Sequence, residues 1–162
     1  MQTLKSYALL LTMGLLAINN ATADITEPSQ TQAAMKVATI EKMYQQDVNN
    51  QGMDYPVVLE QYGNQELQVA MKLERDYFDR EEMSCHIGYD VLWDSQDPDY
   101  EQEKKFSLTE KGLVKVSLAQ GSNVYYDLSC DGIDDSADCK VADVILDEDG
   151  ASLKEYLLKT CR

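Results

Sequence analysis

Four cysteines, Cys85, Cys130, Cys139 and Cys161, are the residues whose type and number first suggest chemistry. An even count in an exported chain reads as two disulfides, for which three pairings are open. The favoured pairing is Cys130–Cys139 with Cys85–Cys161. Cys130 and Cys139 flank an acidic loop between two strand-like runs, and the feet of a hairpin can face each other at bridging distance. The second bridge would tie the end of the chain to its middle. The rival is a zinc site, but no C-x-x-C occurs and the one histidine, His86, is the chain neighbour of Cys85. No metal ligands are assigned.

Nucleophilic catalysis finds no support. There is no G-x-S-x-G, and a Cys–His pair would need a free thiol in an oxidising compartment. Cys85 and His86, as neighbours in a strand, would point their side chains apart, so His86 reads as a surface or packed histidine. With 29 Asp+Glu, carboxylate pairs for glycoside hydrolysis can be drawn anywhere, and the choice is uninformative. Asp147-Glu148-Asp149-Gly150 suggests a calcium loop, but the required first and twelfth positions would fall on Ile145 and Tyr156, which excludes it. The expectation is a protein that is not an enzyme, with no catalytic residue and no cofactor.

Two acidic segments remain. Asp90, Asp94, Asp97, Asp99, Glu101 and Glu103 could hold a hard cation from one flexible stretch, but charge runs are usually solvated, and a linker is the favoured reading. Between Asp131 and Asp149 lie eight acids with Lys140 as the only base. A hairpin pinned by Cys130 and Cys139 would project loop 131–138 and turn 147–149 from opposite ends of its second strand, about 25 Å apart. Solubility is the bland account of such charge. The sharper one makes the loop, with Asp131, Asp134, Asp135 and Asp138, a contact surface for a cationic protein. The whole chain carries 14 Lys+Arg against 29 Asp+Glu, a net −15, which excludes binding driven by phosphate neutralisation of nucleic acid.

The elements that must position these residues follow from periodicity. At 162 residues and 44% hydrophobic the chain suits one packed domain. Lys5 precedes a short apolar run, Ala8 to Ile18, and Ala21-Thr22-Ala23 is an A-x-A cleavage pattern. Residues 1–23 are therefore expected to be a signal peptide, too short in its apolar part to remain as a membrane anchor, with a mature protein in the periplasm. Residues 24–32 read as a flexible leader and 33–162 as the domain. From Ala33, Val37, Ile40, Tyr44 and Val48 keep helical spacing. Asp54-Tyr55-Pro56 starts a short helix with Pro56 in its first turn. A third helix runs from about Gln65 to Arg80, with Leu67, Ala70, Met71, Tyr77 and Phe78 on one side. After Phe106 the period becomes two, giving three or four antiparallel strands. Ala151 to Leu158 returns to helical spacing. The fold class expected is α+β, with helices on one face of a curved antiparallel sheet and a short C-terminal helix.

This element order resembles the nuclear-transport-factor-two-like and cystatin-like cone folds. More narrowly, Asp90-Val91-Leu92-Trp93-Asp94-Ser95-Gln96-Asp97 is similar to the D-x-x-L-x-A-Q-D segment of the YbjP/YqhG-type family of bacterial envelope proteins, with Ser95 in place of the usual Ala. The resemblance rests on Asp90, Trp93, Asp94, Gln96 and Asp97, on the hydrophobic-Asp-hydrophobic run Lys140 to Val144, and on the helix after Gly150. It implies the cone fold and an exported location. It implies no activity, and it does not account for the cysteines.

The reading that results is an exported, non-catalytic acidic interaction protein of the bacterial envelope, of the immunity type, engaging a basic partner. The alternative is a small-molecule or hydrolytic site in the cone cavity, which Tyr44, Tyr62, Tyr77, Phe78, Tyr125 and Tyr126 would line if they were not simply core. A filled cone favours the first; an open cavity with a buried, perturbed carboxylate favours the second. Oligomeric state is not set by the sequence.

Overall fold

The computed structural model describes residues 30–86, 88–131, 138–146 and 150–162. The expected signal peptide, Asp134, Asp135 and turn 147–149 lie outside the described residues. Helix α1, Gln30–Asn50, begins three residues ahead of Ala33, within the expected leader. Ile40, Met43, Tyr44 and Asp47 are its buried residues, a spacing that keeps them on one stripe. It stops at Gln51 and Gly52, both at positive φ (50° and 68°), a backbone that glycine adopts without strain.

Helix α2, Val58–Tyr62, starts two residues after Pro56, so the proline precedes the helix instead of opening its first turn. Helix α3, Gln65–Glu81, is capped by Asn64, whose side-chain oxygen accepts from the Leu67 amide at 3.0 Å. Leu67, Ala70 and Met71 are buried as expected, but Phe78, on the same side by spacing, is 54% exposed. Tyr77, half-buried, still packs against the core, so the packed face narrows toward the end of the helix and leaves Phe78 outside it.

Four strands follow: β1 Lys104–Leu108, β2 Val114–Leu118, β3 Asn123–Asp131 and β4 Asp138–Ile145. They form one antiparallel sheet in the order β1-β2-β3-β4, an open meander. Alternation works as the sequence suggests: Val114, Val116 and Leu118 are buried, and Lys115 and Ser117 are not. Ala142 is an extra residue in β4, because Asp127 pairs with Asp143 and Leu128 with Val141. Helix α1 packs against all four strands, and helix α4, Leu153–Thr160, packs on α3 and β4. Ser152 caps α4 by accepting from the Glu155 amide at 3.0 Å. Asp143 ties the same helix start to β4, accepting from the Lys154 amide at 3.0 Å and from the Ser152 hydroxyl. The fold is the α+β class expected, with four strands. Among the described residues no helix is long and apolar enough to cross a membrane.

The space between helices and sheet is filled. Tyr44, fully buried, meets Trp93, Phe106 and Tyr126 edge-on at ring separations of 5.3, 5.6 and 6.2 Å. Its hydroxyl lies 2.9 Å from that of Tyr126 and donates to the Leu92 carbonyl. Such edge contacts add about 0.5–1.5 kcal/mol each beyond burial. Packed aromatics therefore stand between α1 and the sheet, where the alternative reading expected a ligand.

Both disulfides are present in the favoured pairing, Cys85–Cys161 and Cys130–Cys139, and the described residues include no free cysteine. The pair across the hairpin joins directly opposed residues of β3 and β4. The other holds the segment after α3 against the end of α4, where the Tyr156 hydroxyl also donates to the Cys85 carbonyl at 3.4 Å.

Candidate functional site

The described residues between 82 and 103 carry no helix or strand, yet they are not a solvated linker. Leu92, Trp93 and Gln102 are buried. A tight turn places them: Asp90 and Ser95 pair through their backbones, and Asp90 Oδ1 accepts from the Leu92 amide at 2.8 Å. Trp93 is then driven into the core, where its Nε1–H donates to Asp47 Oδ2 of α1 at 2.6 Å. Tyr100 meets the Trp93 ring edge-on and Lys104 lies over it at 5.0 Å. Of the family-like residues, Trp93 is core and Asp90 half-buried, while Asp94, Gln96 and Asp97 are exposed, as are Asp99, Glu101 and Glu103. The solvated reading holds for those five acids and fails for Asp90, whose neighbours in space are apolar and acidic.

A half-open cavity of about 180 Å³ lies beside this turn, between the end of α1, α2, α3 and residues 86–92. Its polar wall is Asp47, Glu74, His86, Tyr89 and Asp90, and its apolar wall includes Val57, Val58, Leu59 and Met71. Burial raises all three carboxyls above their ordinary values, Asp90 up to about 6. For Asp47 the Trp93 bond pulls in the opposite direction, and for Asp90 the Leu92 amide does. The same burial lowers the His86 imidazole, so the neutral ring is favoured.

His86 corrects two expectations. It sits in a bend outside any strand, so Cys85 turns to Cys161 while His86 lines the cavity. The fold also brings His86 near a carboxylate, which the sequence did not suggest: its Nδ1 is 3.9 Å from Glu74 Oε1, beyond hydrogen-bond reach. The His86 side chain is 6% exposed and stands between Tyr89 and Tyr156. Its Nε2 is buried and has no hydrogen-bond partner among the described residues. A buried unmade bond costs about 1–3 kcal/mol.

The arrangement is not that of a hydroxyl nucleophile. Ser84 Oγ lies 3.5 Å from Glu74 Oε1 and accepts from the His86 backbone amide at 3.0 Å, so it braces the turn and is not bonded to the imidazole. Nor do the acids make a metal centre: among the described residues no three His, Cys, Asp or Glu side chains converge to hold an ion. Acceptors spread around a cavity of this size suit an organic cation with several donors.

The acidic hairpin is described only at its feet. Asp131 and Asp138 are exposed and directly opposite each other across β3 and β4, and Lys140 lies 3.2 Å from Asp138. No family model matches the chain, and neither a curated protein nor a solved structure matches it.

Proposed function

We propose that this is an exported, non-catalytic binding protein of the bacterial envelope that engages a basic protein partner, as an immunity-type inhibitor does. The observation that carries the reading is the cavity whose polar wall brings Asp47, Glu74 and Asp90 together with the buried His86 ring. A cation bearing N–H groups favours the ionised carboxylates, each of which burial alone disfavours. Net charge of −15 adds steering toward a basic partner, which acts mainly on the on-rate and weakens with salt. Two disulfides support an oxidising compartment. The signal-like residues 1–23 support a periplasmic destination within it. The element order and the segment Asp90 to Asp97 support kinship with the YbjP/YqhG-type envelope family and its cone fold, with the ligand space moved from between helices and sheet to the flank of α3.

Loop 131–138 belongs to this reading as an outer acidic contact, through Asp131, Asp134, Asp135 and Asp138, and the cavity is its inner one. Hydrolysis has less in its favour, since the one serine beside the histidine is bonded to the carboxylate. The reading is tested at His86, the single histidine of the chain, by following its ring signals as arginine amide is added. Saturable shifts are expected, and a silent ring would contradict it.

A further inference from the structure

A second cavity, of about 250 Å³, adjoins the acidic one and shares Val57, Met71 and Glu74 with it. Its outer wall is Tyr55 and Phe78, with Glu60 and Arg75 paired to each other along the same side. That ion pair neutralises itself, so the surplus charge of the combined hollow is that of the deeper acids. The lip is apolar and uncovered: Tyr55 is 84% exposed, Phe78 54% and Val57 47%. Large apolar side chains gathered at the mouth of a polar pocket mark an interaction surface more often than chance exposure does. Phe78 keeps helical register with the buried Met71, seven residues earlier on α3, yet among the described residues it is left 54% exposed.

We infer that the two cavities form one two-part site for a segment of a partner protein in which an arginine stands next to an aromatic or large aliphatic residue. The guanidinium enters the acidic cavity, donating toward Glu74 and Asp90, and the neighbouring side chain packs on Tyr55, Val57 and Phe78. Arginine suits the inner part better than lysine. Its five donors fan out in a plane, whereas an ammonium is a compact point charge, and the acceptors here are distributed around a cavity. The volume is also suitable, because an engineered cavity of about 150 Å³ accommodates benzene, and the inner cavity measures about 180 Å³. Charge decides among the possible occupants. A second copy would bring a further net −15 toward the acids. Residues 24–29 of this chain carry Asp24 and Glu27 and no base. A basic partner brings the opposite sign. This inference rests on the cationic-partner reading and specifies what that partner must present.

The test is calorimetric titration of the exported protein with four capped probes: N-acetyl-arginine amide, N-acetyl-phenylalanine amide, and the dipeptides Phe-Arg and Arg-Phe in the same capped form. The tighter dipeptide should bind at least tenfold more strongly than arginine amide. Phe78→Ser, at an exposed position that leaves the core intact, should bring the dipeptide down to the arginine level without changing arginine amide itself. Asp90→Asn should weaken both by tenfold or more, and its asparagine oxygen can still accept from Leu92, so the turn survives. Equal affinity of dipeptide and arginine amide, or indifference to Phe78→Ser, would overturn the two-part site while leaving the cationic reading in place. Binding of phenylalanine amide without arginine amide, or of no probe, would overturn both. A dimer that Phe78→Ser dissolves would make a second copy the occupant and overturn the inference as well.

Discussion

Asp90 carries most of the chemistry at the scale of single residues, and its behaviour with pH follows from its surroundings. Its folded pKa, about 6, lies above the ordinary 3.8, so the folded state holds the proton more tightly than the unfolded chain. The stabilisation is present at low pH and is lost as pH rises through about 6. His86 acts in the opposite direction, since its lowered value makes stability fall as the unfolded imidazole's range is entered from above. Comparison with Asp90→Asn separates the two. The variant should match the wild type near pH 4 and exceed it by about 2 kcal/mol at pH 7, after allowance for the part of Asp90 that water still reaches. Urea titrations at both pH values measure this, and a difference that does not change with pH would show that Asp90 is not desolvated. The sequence placed Asp90 in a charge run because its i+4 and i+7 neighbours, Asp94 and Asp97, are solvated acids. What distinguishes it is Trp93, whose burial drags the turn inward. An indole within an acidic stretch is the signal that was there to read.

Among the elements, those with a clear period were legible and those without were not. The stripe on α1 anticipated the buried Ile40 and Tyr44, and the alternation on β2 anticipated its buried valines. Ile40→Asp should therefore cost several kcal/mol by placing an unpaired charge in the core, whereas Glu41→Asp on the exposed face should change stability by less than about 0.5 kcal/mol. Equal denaturation midpoints in urea would mean that α1 turns another face to the sheet. Residues 82–103 have no period to follow, because a plug of turns fills space without repeating. The cavity was illegible for the same reason. Its wall is assembled from α1, α2, α3 and a turn, and no stretch of sequence contains more than a part of it. Phe78 shows the limit of periodicity itself: spacing assigns a face, but only the packed neighbours decide whether that face is covered.

For the whole molecule, the bridge between Cys85 and Cys161 links the site to the fold. It spans 76 residues, a loop whose closure is worth about 4.5 kcal/mol in the chain-entropy account, and it holds the segment that begins at His86. The pairing was readable from hairpin geometry for Cys130–Cys139, and for the other pair followed from what remained. Reduction of both bridges should lower the melting temperature by more than about 10 °C, given roughly 2–5 kcal/mol per native bridge and several degrees per kcal/mol. A scan unchanged by reductant would show that packing alone holds α4 in place.

The central claim is that the acids beside α3 form a pocket for a cation, with the His86 ring in its wall. Because His86 is the only histidine, its imidazole gives one set of ring resonances, and these report on the cavity wall directly. Arginine amide added at pH 7 should shift them saturably. The effect should weaken as pH falls through about 6 and Asp90 takes up its proton, and it should be lost in Asp90→Asn. Ring signals that stay fixed while the backbone signals of Asp131 and Asp138 move would put the cation on the hairpin and contradict the pocket.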